Sequence, residues 1–156
     1  MNPRLIKTRF KKIDVHTGPG EQLQGGGKMS VEVTAGLGND AKDSRRVVAE
    51  VTITIKGIPE KAKDESQYAF SAEITMQGVY EWAEKAPSNL EDKNLTNMLC
   101  QPLYVTSVSE ITMLVQRTGV GTISLPWTID DNDEGLPTKK PTAKKIAVRK
   151  AKKVNA

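Results

Sequence analysis

Residues 68–82 read Y-A-F-S-A-E-I-T-M-Q-G-V-Y-E-W, and this stretch decides the fold. Phe70, Ala72, Ile74, Met76, Gly78 and Tyr80 share one parity, while Ser71, Glu73, Thr75 and Gln77 take the other. Apolar–polar alternation of period two, sustained over this length, specifies a long β-strand with one buried and one wetter face. A lone strand is not stable in water, so it needs paired neighbours and an apolar layer over its inner face.

Upstream residues supply the neighbours. Arg46 to Lys56 places Val47, Ala49, Val51, Ile53 and Ile55 on one face, opposite Glu50, Thr52 and Thr54, and its β-branched content favours a strand. Ser30 to Ala35 alternates Val31, Val33 and Ala35 against Glu32 and Thr34. Arg9 to Val15 reads as a first short strand with irregular alternation. The glycine-rich segment 17–28, the polar segment 36–44 and the charged segment 57–67 read as loops. The expectation is a meander of about four antiparallel strands.

Downstream of Pro87 the period changes to that of a helix. Asn89 to Asp92 offers a helix start, Leu95, Met98 and Leu99 follow, and Pro102 is expected to break a short helix from a long one. Tyr104, Val108, Ile111 and Val115 form the stripe of the longer helix, Leu114 widens it, and Gly119 is placed to close it. An extended exit, I-S-L-P-W at 123–127, runs into the acidic cluster 130–134. Strands first and helices afterwards give an α+β layer of a four-stranded sheet under a short and a long helix.

This order of segments resembles the SecB export-chaperone family, over residues 30–130 and more loosely from residue 9. The stretches that carry it are V-E-V-T-A with R-V-V-A-E-V-T-I-T-I, then F-S-A-E-I-T-M-Q-G-V-Y, then I-T-M-L-V-Q-R-T-G and I-S-L-P-W. None is a catalytic signature; the specificity lies in their order and spacing. The resemblance implies a cytoplasmic homotetramer, a dimer of dimers, that holds unfolded polypeptides in apolar grooves. Carried over position by position, it implies a client groove at Val31, Val33, Phe70 and Tyr104. It implies a subunit interface at Ala72, Ile74 and Met76, and a surface at Ser71 and Glu73 that meets the translocation ATPase. All of the apolar positions among these also read as ordinary core. Members with a full export role continue into a further apolar helix and an acidic tail. Here a lysine-rich segment follows instead, which leaves a translocase contact without its docking element. A dedicated partner, such as a toxin–antitoxin protein, is the other client class that the resemblance implies.

Composition sets the remaining bounds. The chain of 156 residues is 37% apolar and 4% aromatic, with a mean hydropathy of −0.46, which suits one soluble domain with a modest core. No uninterrupted apolar run approaches the roughly 18 residues of a membrane span, and the basic N-terminal segment lacks the apolar stretch of a secretory signal. A single cysteine, Cys100, permits no internal disulfide and fits a reducing compartment. The net charge of +4 is divided unevenly: residues 135–156 hold eight Lys/Arg and no acid, so residues 1–134 carry −4. That division places a folded domain at 1–134 and a disordered basic tail at 135–156. The tail reads as a solvated extension, as a docking arm for an acidic cluster, or as a nucleic-acid contact. It has no aromatic residue for base stacking. A small nucleic-acid- or partner-binding protein acting through these lysines is the alternative function.

Nothing in the chain reads as catalytic. The one histidine, His16, sits beside a Gly/Pro loop, and Cys100 lies on a helix stripe with no histidine near it in sequence. Clustered metal ligands are lacking, and no cofactor is expected. G-G-G-K at 25–28 is not a phosphate loop, because Met29 follows the lysine and Gln22 replaces the first glycine. Asp130 to Gly135 begins like a calcium loop, but Pro141 stands where a bidentate glutamate is required. The sequon at Asn94 to Thr96 has no secretory context.

Overall fold

The computed structural model describes residues 2–18, 27–118, 123–129 and 147–149. Four long strands, β1 (Arg4–Thr17), β2 (Gly27–Asn39), β3 (Arg46–Pro59) and β4 (Phe70–Glu81), precede one helix, α1 (Lys93–Arg117). A three-residue strand, β5 (Ala147–Arg149), follows. The sheet order is β1-β4-β3-β2-β5, antiparallel throughout its four long strands, with β5 parallel to β2.

The sheet is therefore not a simple meander. β2, β3 and β4 are hairpin-connected, but β1 lies beside β4 at the far edge, which is Greek-key connectivity. β1 also runs well beyond its expected span, because two register irregularities, between Leu5 and Lys7 and between Phe10 and Lys12, absorb its uneven alternation. With Ile6 and Lys11 as the extra residues, Leu5, Phe10, Ile13 and Val15 lie opposite Tyr80, Met76, Ile74 and Ala72 and share their face.

That face is the inner one, and α1 lies across it over β4, β3 and part of β2. Its core joins Val33 and Leu37 of β2, Val47 to Ile55 of β3 and the apolar parity of β4. Leu95, Leu99, Leu103, Tyr104, Val108, Ile111 and Val115 of α1 complete it. Gly78 makes the contact possible: a Cβ there would sit 2.9 Å from a Leu103 methyl and 3.2 Å from Leu5 Cδ1, so only hydrogen lets the helix approach. The Tyr80 hydroxyl donates to the Leu99 carbonyl at 2.6 Å, giving the buried phenol its partner.

The expected break at Pro102 does not occur. One helix of 25 residues runs through it, capped by Asp92, whose carboxylate accepts from the Asn94 N–H at 2.9 Å. Pro102 lies on the exposed side and Met98 is also exposed, so water can satisfy the carbonyl that loses its helical donor. By length and apolarity α1 could span a membrane, but here its buried stripe packs on the sheet. The helix ends at Thr118, and Gly119 lies outside the described residues, as do most of the glycine-rich loop and the acidic cluster. Of the tail expected to be disordered, Ala147–Arg149 pairs as a strand with Glu32–Thr34; its other residues lie outside the described ones.

Candidate functional site

The two faces of the sheet differ in chemistry. On the outer face, Arg9 donates to Gln77 Oε1 through Nε and Nη2 at 3.0 and 2.7 Å. Gln77 in turn donates to Glu50 at 2.6 Å, and Lys11 reaches the same carboxylate at 3.0 Å. Thr52 and Thr75 bond across the strands at 2.9 Å, and Lys12 pairs with Glu73 at 2.9 Å, a contact that raises the lysine pKa. A shallow depression of about 280 Å³ lies beside this network, lined by Lys7, Arg9, Asp40, Ala41, Lys42, Val48, Gln77 and Val79. Polar groups that satisfy one another across three strands explain why this parity reads as wetter in the sequence.

The inner face is apolar, and α1 leaves part of it open. α1 covers β4 and β3, while the inner-face residues of β1 lie to its side. Leu5, Phe10 and Ile13 are consequently 40%, 37% and 51% exposed, although each lies opposite a buried residue of β4. Three large side chains on one face of an edge strand form an apolar shelf along the flank of the helix.

Two side chains of α1 bind the segment that follows the helix. Gln101 donates to the Trp127 carbonyl at 2.6 Å and accepts from the Ile129 N–H at 3.0 Å. The Tyr104 hydroxyl donates to the Pro126 carbonyl at 2.8 Å. The exit segment is thus fastened along α1, with Ile123, Leu125 and Ile129 turned in and Trp127 exposed.

The residues singled out by the sequence fall as follows. Val33, Phe70 and Tyr104 are each 2% exposed and belong to the core, while Val31 is half-buried at its edge. Ala72, Ile74 and Met76 are buried inside the single chain, beneath the helix layer. Ser71 and Glu73 lie on the outer face of β4, with Glu73 in its ion pair to Lys12. The open apolar residues Leu5, Phe10 and Ile13 are not evident from the sequence because the two irregularities in β1 disguise their common face. Their signal is present as apolar residues separated by odd intervals in an otherwise basic strand.

Cys100 is fully buried, and burial pushes its thiol pKa up to about 12, the state of an inert core thiol. His16 lies on the exposed rim, its Nε2 3.0 Å from the Tyr68 hydroxyl and its Nδ1 3.6 Å from Asp14. Lys56 stands 5.7 Å above the Tyr68 ring. Beneath them, Gly18 donates its N–H to Ala69 O at 2.9 Å, and any Cβ on it would collide with the Tyr68 carbonyl and ring. This cluster fastens the end of β1 to the β3–β4 connection. Among the described residues no group of His, Cys, Asp and Glu is arranged to hold a metal ion.

A four-stranded antiparallel sheet in this order under one long helix defines the SecB-like α+β fold. Among solved structures the chain is similar to the SecB-like chaperone Rv1957 of Mycobacterium tuberculosis, determined in complex with a ChAD peptide from the antitoxin HigA1. The TM-score is 0.60 at 11% identity, over 80% of this chain and 90% of that one, so the likeness is one of fold. No family model matches the chain, and no curated protein matches it in sequence.

Proposed function

We propose that this chain is a SecB-like holdase, which binds unfolded polypeptide segments on apolar surface without nucleotide. The observation that carries the reading is the exposed stripe Leu5, Phe10 and Ile13, lying beside the helix on the inner face of an edge strand. Apolar area of this kind gains about 25 cal/mol per Å² when a client side chain covers it. Several such shelves on one particle would sum weak contacts into useful affinity, which is the reason to expect a homotetramer. Val31, half-buried on β2 at the opposite side of the sheet, lies apart from this shelf and offers a second, smaller apolar surface. The solved neighbour's antitoxin peptide supports a dedicated client as readily as general export. A translocase-facing role for Ser71 and Glu73 would require Glu73 to leave its ion pair with Lys12 and the buried Ser71 to be uncovered. The site of action that fits a reduced Cys100 is the cytoplasm.

The test is a titration of the full chain with reduced, alkylated α-lactalbumin, a permanently unfolded acidic polypeptide, at low and high salt. Micromolar or tighter binding that survives high salt is the expected result. Binding that disappears with salt would transfer the activity to the lysine tail, the alternative reading, since screening suppresses exposed charge–charge contacts.

A further inference from the structure

We propose that the outer edge of β2 is a strand-docking site, and that the chain's own tail occupies it in cis as a plug that an incoming extended segment must displace. The docking half stands on backbone geometry alone, whereas the displacement half rests on the holdase reading above.

β2 is paired along its whole length with β3 on one side. On its other side, among the described residues, only β5 pairs with it, through Ala147, Val148 and Arg149 opposite Glu32, Val33 and Thr34. An edge strand presents backbone N–H and C=O groups that template a further strand, and proteins use such edges to capture extended peptides. Here the captured peptide is part of the basic segment. Its composition favours pairing: K-K-I-A-V-R-K at 144–150 places β-branched residues between cations, in a segment otherwise rich in lysine and alanine. Residues 130–146 separate the exit segment from β5 in sequence, and at roughly 3.3 Å each a chain of that length spans up to about 56 Å when extended.

The pairing is short, three residues, and parallel ladders are slightly weaker per residue than antiparallel ones. A strand this short is displaceable, unlike the long ladders within the sheet. It lies against Val33 and beside Val31, so a client strand added at that edge would meet the plug first. The tail then has a function distinct from solubility or nucleic-acid binding: it keeps a sticky edge covered until a client competes for it.

The experiment uses the full chain and its Val148→Pro variant, which keeps the charge of the tail but disfavours a paired strand by fixing φ at its middle residue. Hydrogen exchange read by mass spectrometry should show peptides covering residues 30–36 exchanging about fivefold to tenfold faster in the variant, with β3 and β4 peptides unchanged. Equal exchange in the two chains would overturn the docked strand. The protection should also be independent of protein concentration; protection lost on dilution would assign the strand to a second copy and overturn the cis arrangement. Reduced, alkylated α-lactalbumin should bind the variant about fivefold more tightly, and equal affinity would overturn the plug. If neither chain binds it, the holdase reading and the plug fail together, and the exchange difference still decides whether the tail docks.

Discussion

Phe10 and Met76 face each other across the β1–β4 ladder, on the same side of the sheet, yet Phe10 is 37% exposed and Met76 only 5%. The helix crosses one strand and stops short of the next. That boundary between covered and uncovered apolar surface is where the proposed activity lies. Substituting Phe10 or Ile13 with Asp should therefore weaken binding of an unfolded polypeptide by about tenfold at high salt, with little change in fold. Fluorescence anisotropy alongside far-UV circular dichroism reads both quantities. A well-folded Phe10→Asp, Ile13→Asp chain that binds as the parent does would remove the shelf from the site. The same change at Phe70 is uninformative, because that side chain is buried in the core.

Gly78 and Leu103 set the distance between sheet and helix. Gly78→Ala should cost about 1–3 kcal/mol through overpacking, measured by urea unfolding. Leu103→Ala alone should cost about 2–5 kcal/mol through the cavity it leaves. The double variant should be less destabilised than the sum, because each change relieves the other. Strict additivity would mean that the contact does not set the spacing.

Buried acids, Cys100 and Tyr80 foremost and Tyr104 with them, make the fold sensitive to alkali. Burial raises Cys100 to about 12, and burial, followed by the charge of Cys100, raises Tyr80 to about 12. In the unfolded chain they ionise near their ordinary values, about 8.5 and 10. Between roughly pH 8 and 12 the unfolded state has therefore lost protons that the folded state retains, so stability falls as pH rises through that window. Below about pH 7 none of these groups contributes a slope. Cys100→Ala should flatten the lower part of the alkaline limb in urea midpoints measured from pH 7 to 11. A native thiol that reacts with a disulfide reagent faster than the chain unfolds would contradict its burial.

Pro102 lies within an unbroken helix and on its exposed side. Pro102→Ala should restore a donor to the Met98 carbonyl and raise stability by about 1–3 kcal/mol, seen as a higher thermal midpoint. A lower midpoint would show that the proline holds α1 in the curvature its packing needs.

Much of this architecture is legible because period-two alternation on β3 and β4 survives intact in the sequence, with the apolar parity of both strands turned to the core and the polar parity of β4 held in cross-strand hydrogen bonds. The helix stripe from Tyr104 to Val115 is legible for the same reason at period 3.6. The features that are not legible are long-range or conditional. Pro102 has the local chemistry of a helix breaker, but an exposed position lets the helix continue. The pairing of β1 with β4 rather than β2 depends on contacts far apart in sequence, which no local pattern encodes. The shelf is hidden because a side chain's face cannot be assigned across two unseen register shifts. The apolar residues of β4 are readable as buried, but not which element of the chain covers them.

The irregularities in β1 have a consequence for crowding. A protein that offers greasy surface to unfolded chains risks offering it to its own copies, and a flat, fully regular edge strand would invite endless lateral stacking. Extra residues at Ile6 and Lys11 interrupt the ladder twice, while lysines and arginines fill many of the remaining positions of the strand. The same two insertions that align Leu5, Phe10 and Ile13 also spoil the edge as a template for fibre growth, so stickiness and self-restraint are written into one strand.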